Sequence, residues 1–255
     1  MKKILAFDVD QTLNVAKTPI PDEIADLLIG AITAGFEICP ISGQKFDQFL
    51  IQIVDRLVAR GATPDQLAHL HLFVAQGTQY YRYADNDWQK IYDYPLSAED
   101  VAKTTTAIET AAKELGYWEA DKLAEGDEII ENRLSQVTFS ALGQKAGTEA
   151  KYAWDPDCKK REAIVARAKE LAPDYAFEIG GTTSINATLP GRNKQFGMEH
   201  LLAELHADKD DVLYFGDMTQ PGGNDYPVVQ MGIRTITVRN HEDTAYALRG
   251  ILGVL

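Results

Sequence analysis

The chain is predicted to fold as α/β, a doubly wound parallel sheet of Rossmann-like grammar interrupted by an inserted α+β module. Three observations carry that prediction. Short runs apolar on both faces alternate with amphipathic helices at both ends of the 255-residue chain. The alternation breaks off in the middle. Polar groups gather where the apolar runs stop, which is where open parallel sheets hold their ligands.

Lys3 to Val9 is short and apolar nearly throughout, as a central parallel strand should be, and the polar stretch from Asp10 to Asn14 opens the first loop. Pro21 and the acidic residues behind it start a helix with Ile24, Leu27, Leu28, Ala31 and Ile32 on one face, and Gly35 ends it. A buried strand follows from Phe36 to Ile41. Behind Ser42 and Gly43 a second helix carries Phe46, Phe49, Leu50, Ile53, Val54, Leu57 and Val58 on one stripe. A third strand is expected near His71 to Ala75, then an aromatic-rich hairpin turning at Asn86 and Asp87.

From Ser97 the pattern changes. A helix to Leu115, alternating strands from Glu128 to Leu142, a helix from Cys158 to Leu171 and two short strands ending at Leu189 read as a separate α+β module. Parallel grammar then resumes, with a helix around Phe196 to Leu205, strands Asp211 to Phe215 and Arg234 to Val238, and a terminal helix. The core is therefore assigned to 1–94 and 188–255 and the inserted domain to 95–187, roughly ninety residues and within the size of a small domain.

Hydrophobic residues at 45% and charged residues at 25% fit a soluble globular protein. The formal charge of −13 repels nucleic acid and anionic membranes, so neither is expected as a partner. Cys39 and Cys158 have no metal-ligand spacing and fit a reducing compartment. Asp8 interrupts the first apolar run before signal-peptide length, and no stretch approaches the ~18 apolar residues of a membrane span. The expected location is cytoplasmic.

Four segments place polar groups at proposed strand ends: FDVDQTLN with Asp8, Asp10 and Thr12; PISGQ with Ser42 and Gly43; PGRNKQF with Lys194; and YFGDMTQPGGND with Asp217, Asn224 and Asp225. Covalent phosphoryl transfer needs a nucleophilic oxygen, a group that moves a proton, a cation, and donors for the phosphate oxygens. Asp8 suits the first role and Asp10 the second. Mg²⁺ on the hard oxygens of Asp8, Asp217 and the Asp10 carbonyl suits the third. Lys194 adds fixed positive charge, while Ser42, Gly43 and the helix start behind them suit the phosphoryl oxygens. Thr12, Asn224 and Asp225 are supporting positions.

In that order the four motifs resemble those of the haloacid dehalogenase-like phosphotransferases, and an insertion between the Ser42 and Lys194 segments resembles their type IIB cap. GDMTQPGGND, ENRLSQVTFSALGQ and IGGTTSINATLPGRNK are similar to stretches of the eukaryotic-type phosphomannomutases. The resemblance implies Asp8 as nucleophile, Asp10 as acid/base, Asp217 as metal ligand, and a sugar phosphate as substrate, with Arg133, Gln144, Ser184 and Asn186 of the cap as substrate residues. Related mutases pair through their caps, which leaves a homodimer open.

Departures from the family pattern bear on function. Gln11 stands where the family has Gly. Gln144 and Gly126 fall where cap arginines are expected, and Asn186 replaces an Asp. A mutase holds a bisphosphate in two orientations, and each lost arginine is a lost bidentate phosphate ligand. Lys145, Lys151 and Arg192 are candidates to compensate. The preferred expectation is a sugar-phosphate phosphatase, the alternatives being a hexose phosphate mutase and a non-catalytic metabolite-binding protein. His69 and His71 are read as strand histidines with no third metal ligand, and the aromatics from Tyr80 to Tyr94 as hairpin packing.

Overall fold

The computed structural model describes residues 3–15 and 17–254. The chain divides into two compact units, Met1–Asp93 with Asn193–Leu255, and Tyr94–Arg192. A strand of the second unit spans Ser184–Thr188, so the expected limit at 187 falls inside it. No helix among the described residues is long and apolar enough to cross a membrane.

The first unit opens with β1 (Ile4–Phe7), α1 (Asp22–Thr33) and β2 (Glu37–Pro40). Next come α2 (Phe46–Phe49), a π-helical turn (Leu50–Val54) and α3 (Asp55–Ala59), running on without a break in helical backbone. The π turn shifts the phase of the expected stripe. Gln52 is buried, whereas Val58 is 52% exposed. A short α4 (Pro64–Leu67) precedes β3 (His71–Val74) and the hairpin β4 (Gln79–Ala84) and β5 (Asp87–Asp93). Asp85 and Asn86 turn that hairpin, both at positive φ as a two-residue type I′ turn requires.

The second unit contains α5 (Ala98–Glu114), β6 (Ile130–Asn132), β7 (Val137–Ser140), α6 (Thr148–Trp154), α7 (Lys159–Leu171), β8 (Ala176–Gly180) and β9 (Ser184–Thr188). Ser97 starts α5 through a reciprocal cap, accepting from Asp100 N at 3.1 Å while its own N–H donates to the Asp100 carboxylate at 3.1 Å. Its antiparallel sheet has the order β6-β7-β9-β8. Alternation sends Val137, Phe139, Ile185, Ala187 and Phe177 into one core with Ile108 of α5 and Ile164 of α7. Thr138, Ser140, Ser184 and Asn186 occupy the intervening positions, so the opposite face is polar.

The first unit closes with α8 (Lys194–Glu204), β10 (Val212–Gly216), α9 (Tyr226–Gln230), β11 (Arg234–Thr237) and α10 (His241–Leu252). Strands β11-β10-β1-β2 are parallel, and β3 joins β2 through parallel bridges at Ile38–Leu70 and Ile41–Phe73. Leu5 and Phe7 of β1 pack among α1, α3 and α10, while Ile4 and Ala6 pack among α8 and α9. Helices on both faces make the sheet doubly wound, and the apolar character of β1 on both sides follows from that double burial.

His69 and His71 both pair with Glu37 Oε2, at 3.1 and 3.0 Å, and His71 Nδ1 lies 2.8 Å from Tyr80 Oη. Only His71 belongs to β3, His69 lying in the turn before it, and Glu37 accounts for the pairing of both rings.

Candidate active site

Parallel register brings distant segments together at the carboxyl ends of the strands. Asp8 follows β1 directly, and its N–H donates to Phe215 O of β10 at 2.8 Å. Ile41 N donates to Phe7 O at 2.8 Å, which sets Ser42 beside the end of β1. Asp217 follows β10. Lys194 is the first residue of α8, whose start is capped by the Asn193 side chain accepting from Gln195 N at 3.0 Å.

Helix α8 reaches the site because two glycines meet. A Cβ on Gly77 would lie 2.4 Å from Gly197 Cα, and one on Gly197 would lie 2.5 Å from Ile41 Cδ1. Close approach of the helix therefore depends on both residues lacking a side chain.

Lys194 is fully buried and its ammonium joins two carboxylates, one on Asp8 and the other on Asp225 at 2.6 Å. Asp225 is the most firmly held group of the set. Its Oδ1 also accepts from Tyr214 Oη at 2.5 Å, and its Oδ2 accepts from Met218 N at 3.0 Å. The loop can fold back this way because Gly216 has no Cβ, which would stand 2.5 Å from Asp225 Oδ2. Asp225, expected to play a supporting part, is thus the second partner of the lysine. Tyr214 was not foreseen, since within an apolar strand its ring reads as packing.

The carboxylates of Asp8, Asp217 and Asp225 each offer an oxygen within 4.8 Å of the others. Burial lifts Asp8 well above the usual carboxylate range, Lys194 pulling it back while Asp225 and Asp217 add to the rise. Asp217 is pushed up to about 6, first by burial and then by Asp225, against the pull of Lys194. Burial works against the charge on Lys194, yet Asp225 and Asp8 hold its ammonium above the ordinary lysine value. Crowded, hard oxygen donors of this kind fit a divalent cation of the oxygen-seeking class.

Crowding has a consequence for stability. Between the unfolded value of 3.8 and about 6, the folded protein holds more protons on Asp217 than the unfolded chain does. Stability from this group is therefore present at the low end of the window and lost as pH rises through it. Relative to Asp217→Asn, the melting midpoint of the metal-free protein is expected to rise by a few degrees from about pH 7.5 to about 5.5, a comparison that cancels the opposite response of His71, whose ring is held below its usual value by burial. Asp217→Asn should raise the midpoint at the upper pH and flatten the dependence, and MgCl2 should stabilise the native protein most at the upper pH. Calorimetry across that range checks all three.

The remaining core residues are placed as follows. The Asp10 carboxylate accepts from Lys17 N at 2.8 Å and lies outside the three-carboxylate cluster, though its charge is felt at Asp217. Gln11 has φ 65°, and Thr12, Leu13 and Asn14 all donate to Val9 O at 3.2, 2.8 and 3.3 Å. A left-handed position in a tight turn favours Gly, and a side chain there costs on the order of 1 kcal/mol. That is the physical content of the departure at Gln11. Thr12 is buried and its carbonyl accepts from Thr244 Oγ1 at 2.7 Å, which ties the turn to α10. Ser42 is buried, with Gln44 N 3.4 Å from its hydroxyl, and Gly43 is half-buried. Asn224, half-buried, lies in the loop leading to Asp225.

In the second unit, Arg133, Gln144, Ser184 and Asn186 belong to polar networks of the β6-β7-β9 sheet and its loops. Arg133 donates to Glu131 Oε2 at 2.5 Å, and Gln144 Nε2 donates to the same oxygen at 3.1 Å and to Ser140 Oγ at 2.9 Å. Ser140 Oγ lies 3.3 Å from Ser184 Oγ. Asn186 Oδ1 accepts from Thr138 Oγ1 at 2.9 Å and from Gln136 Nε2 at 3.3 Å. Gly126, where a cap arginine was expected, sits in a left-handed turn at φ 69°. The candidate replacements are engaged locally. Lys145 Nζ donates to Glu125 O and Lys151 Nζ to Gln144 O, each at 2.7 Å, and the Arg192 guanidinium lies over the Tyr94 ring at 4.5 Å.

Comparison with known proteins adds findings of three kinds. The family described as eukaryotic phosphomannomutase matches residues 120–254. A probable phosphomannomutase of Caenorhabditis elegans is 26% identical, covering 98% of this chain and 96% of its own. A phosphomannomutase of Encephalitozoon cuniculi is 27% identical, covering 95% of this chain and 91% of its own. Among solved structures, an IMP-nucleotidase of Plasmodium falciparum superposes with a TM-score of 0.72 at 15% identity, over 100% of this chain and 71% of that one. A haloacid dehalogenase-like hydrolase from Bacteroides thetaiotaomicron superposes with a TM-score of 0.62 at 14% identity, over 98% and 100%. These two establish a shared fold.

Proposed function

Because the chain belongs to the eukaryotic phosphomannomutase family, we propose that it takes a phosphoryl group from a sugar phosphate or similar small metabolite onto Asp8 and passes it to water. It is an enzyme of phosphotransferase or phosphatase type. The observation that carries the chemistry is the buried Asp8–Lys194–Asp225 cluster with Asp217 beside it.

In the proposed reaction an Asp8 carboxylate oxygen forms a bond to phosphorus while the phosphorus–ester oxygen bond breaks, and Asp10 gives its proton to the leaving oxygen. Asp10 then takes a proton from water, the water oxygen bonds to phosphorus, and the Asp8–phosphorus bond breaks to release phosphate. Mg²⁺, held by Asp8, Asp217 and the Asp10 carbonyl, would supply the positive charge that lets a carboxylate approach a phosphate. Lys194 orients Asp8 and offsets its charge, Tyr214 and Met218 N fix Asp225, and Ser42 with Gly43 takes phosphoryl oxygens. Arg133, Gln144, Ser184 and Asn186 are assigned to the organic part of the substrate.

Water as acceptor rests on the second unit. Arg133 is paired with Glu131, and Gln144 stands where the family resemblance places an arginine, so grip on a second phosphate is weak. The family match and the names of its relatives favour the other acceptor, a second sugar phosphate, and make hexose phosphate mutase the second reading. A panel of hexose monophosphates with MgCl2 separates them. Expected is phosphate release without added bisphosphate. Bisphosphate-stimulated interconversion of 1- and 6-phosphates with little release would assign the mutase instead.

A further inference from the structure

Outside the carboxylate cluster, the core holds a buried group that the proposed reaction leaves unused. Gln44 is 7% exposed, and both Nε2 and Oε1 are buried and meet no hydrogen-bonding partner among the described residues. Its main chain is fixed. The N–H faces Ser42 Oγ at 3.4 Å and the carbonyl accepts from Ala75 N at 3.1 Å. From the neighbouring loop, Gln76 N donates to Ser42 O at 2.9 Å, and the Gln76 side chain, 2% exposed, also has a buried Oε1 with no hydrogen-bonding partner among the described residues. Ala75 and Gln76 both hold left-handed backbone, at φ 48° and 62°. Two non-glycine residues in that region are strained, and such strain concentrates where a site fixes its geometry.

A buried amide group without a partner is destabilising, so a leucine or methionine would fill this space more favourably if packing were the only task. The carboxamide presents one donor group and one acceptor. A phosphoryl dianion, which only accepts, could satisfy Nε2 but not Oε1; a hydroxyl, which donates and accepts, matches both. On this ground, and resting on the phosphoryl-transfer reading above, we propose that Gln44 is a specificity-determining residue that hydrogen-bonds a hydroxyl of the substrate's organic moiety next to the phosphoryl group held at Ser42.

The test compares ligands with and without that hydroxyl. In an Asp8→Asn background with MgCl2, calorimetry measures binding of inorganic phosphate and of the best hexose phosphate from the panel. Gln44→Met is expected to weaken the hexose phosphate about tenfold and to leave inorganic phosphate within about twofold. With Asp8 present, kcat/KM should fall by a similar factor for the hexose phosphate and by no more than about twofold for p-nitrophenyl phosphate, whose organic moiety has no hydroxyl. Equal losses for both ligands would reduce Gln44 to a positioning role on the Ser42 loop, and no loss for either would reduce it to packing; each overturns the proposal. Should Gln44→Met not fold, Gln44→Asn is read the same way, with a smaller but equally selective loss. If the protein with native Gln44 binds neither ligand, the phosphoryl-transfer reading itself falls, an outcome distinct from the other two.

Discussion

Asp8→Asn is expected to lower phosphate release by at least about a thousandfold while leaving the fold intact. The loss follows from replacing a nucleophilic oxygen with an amide that cannot form the acyl phosphate. Retention of the fold follows from geometry. Asn is isosteric with Asp, Lys194 keeps its ion pair with Asp225, and Asp8 is a carboxylate that burial already disfavours in its charged form. The melting midpoint of the metal-free variant should therefore equal or exceed that of the native protein at neutral pH. Acid quench of the native enzyme during turnover should trap phosphate on the chain, and the variant should trap none. Turnover retained by the variant would remove Asp8 from the nucleophile's role.

Much of this site was legible before the structure, for a physical reason. Parallel strands buried on both faces leave a plain apolar signature, and in such sheets the polar residue that ends a strand lies at the ligand edge, so Asp8, Ser42 and Asp217 could be placed from patterning alone. What stayed hidden depends on contacts across the chain. Nothing local marks Asp225 as the partner of a lysine 31 positions earlier in sequence. Nothing in LYFG distinguishes the hydroxyl of Tyr214 from its ring. The π turn at Leu50–Val54 moved Gln52 inward and Val58 outward, a phase change no regular period anticipates. Helix α6 gives little local signal because it is seven residues long and its N-cap, Gly147, has no side chain to mark the start. Gln11 could be flagged as unusual, but only its φ explains the flag.

Lys194→Met is expected to be the most damaging single substitution in the core, because it removes the cation between two buried carboxylates. Asp225 is completely buried and Asp8 nearly so, at 4% exposure. The ammonium also sits at the start of α8, where the helix dipole disfavours a cation, so those two carboxylates account for its placement there. Breaking a buried pair from one side leaves uncompensated charge and typically costs about 3–5 kcal/mol. Urea unfolding should show a loss of that order at neutral pH with an unchanged slope, together with loss of activity. The sign of the pH response separates charge from shape. Burial and its carboxylate neighbours already hold Asp8 high, and without the lysine's opposing pull it should bind its proton more readily still. Lowering the pH then neutralises the orphaned charge, so the deficit relative to the native protein should shrink from about pH 7.5 to about 5.5. Adding Asp8→Asn to Lys194→Met should restore part of the stability, since the double variant buries one fewer uncompensated carboxylate. A deficit independent of pH and unrelieved by Asp8→Asn would mean that the lysine stem, and not its charge, holds the site together.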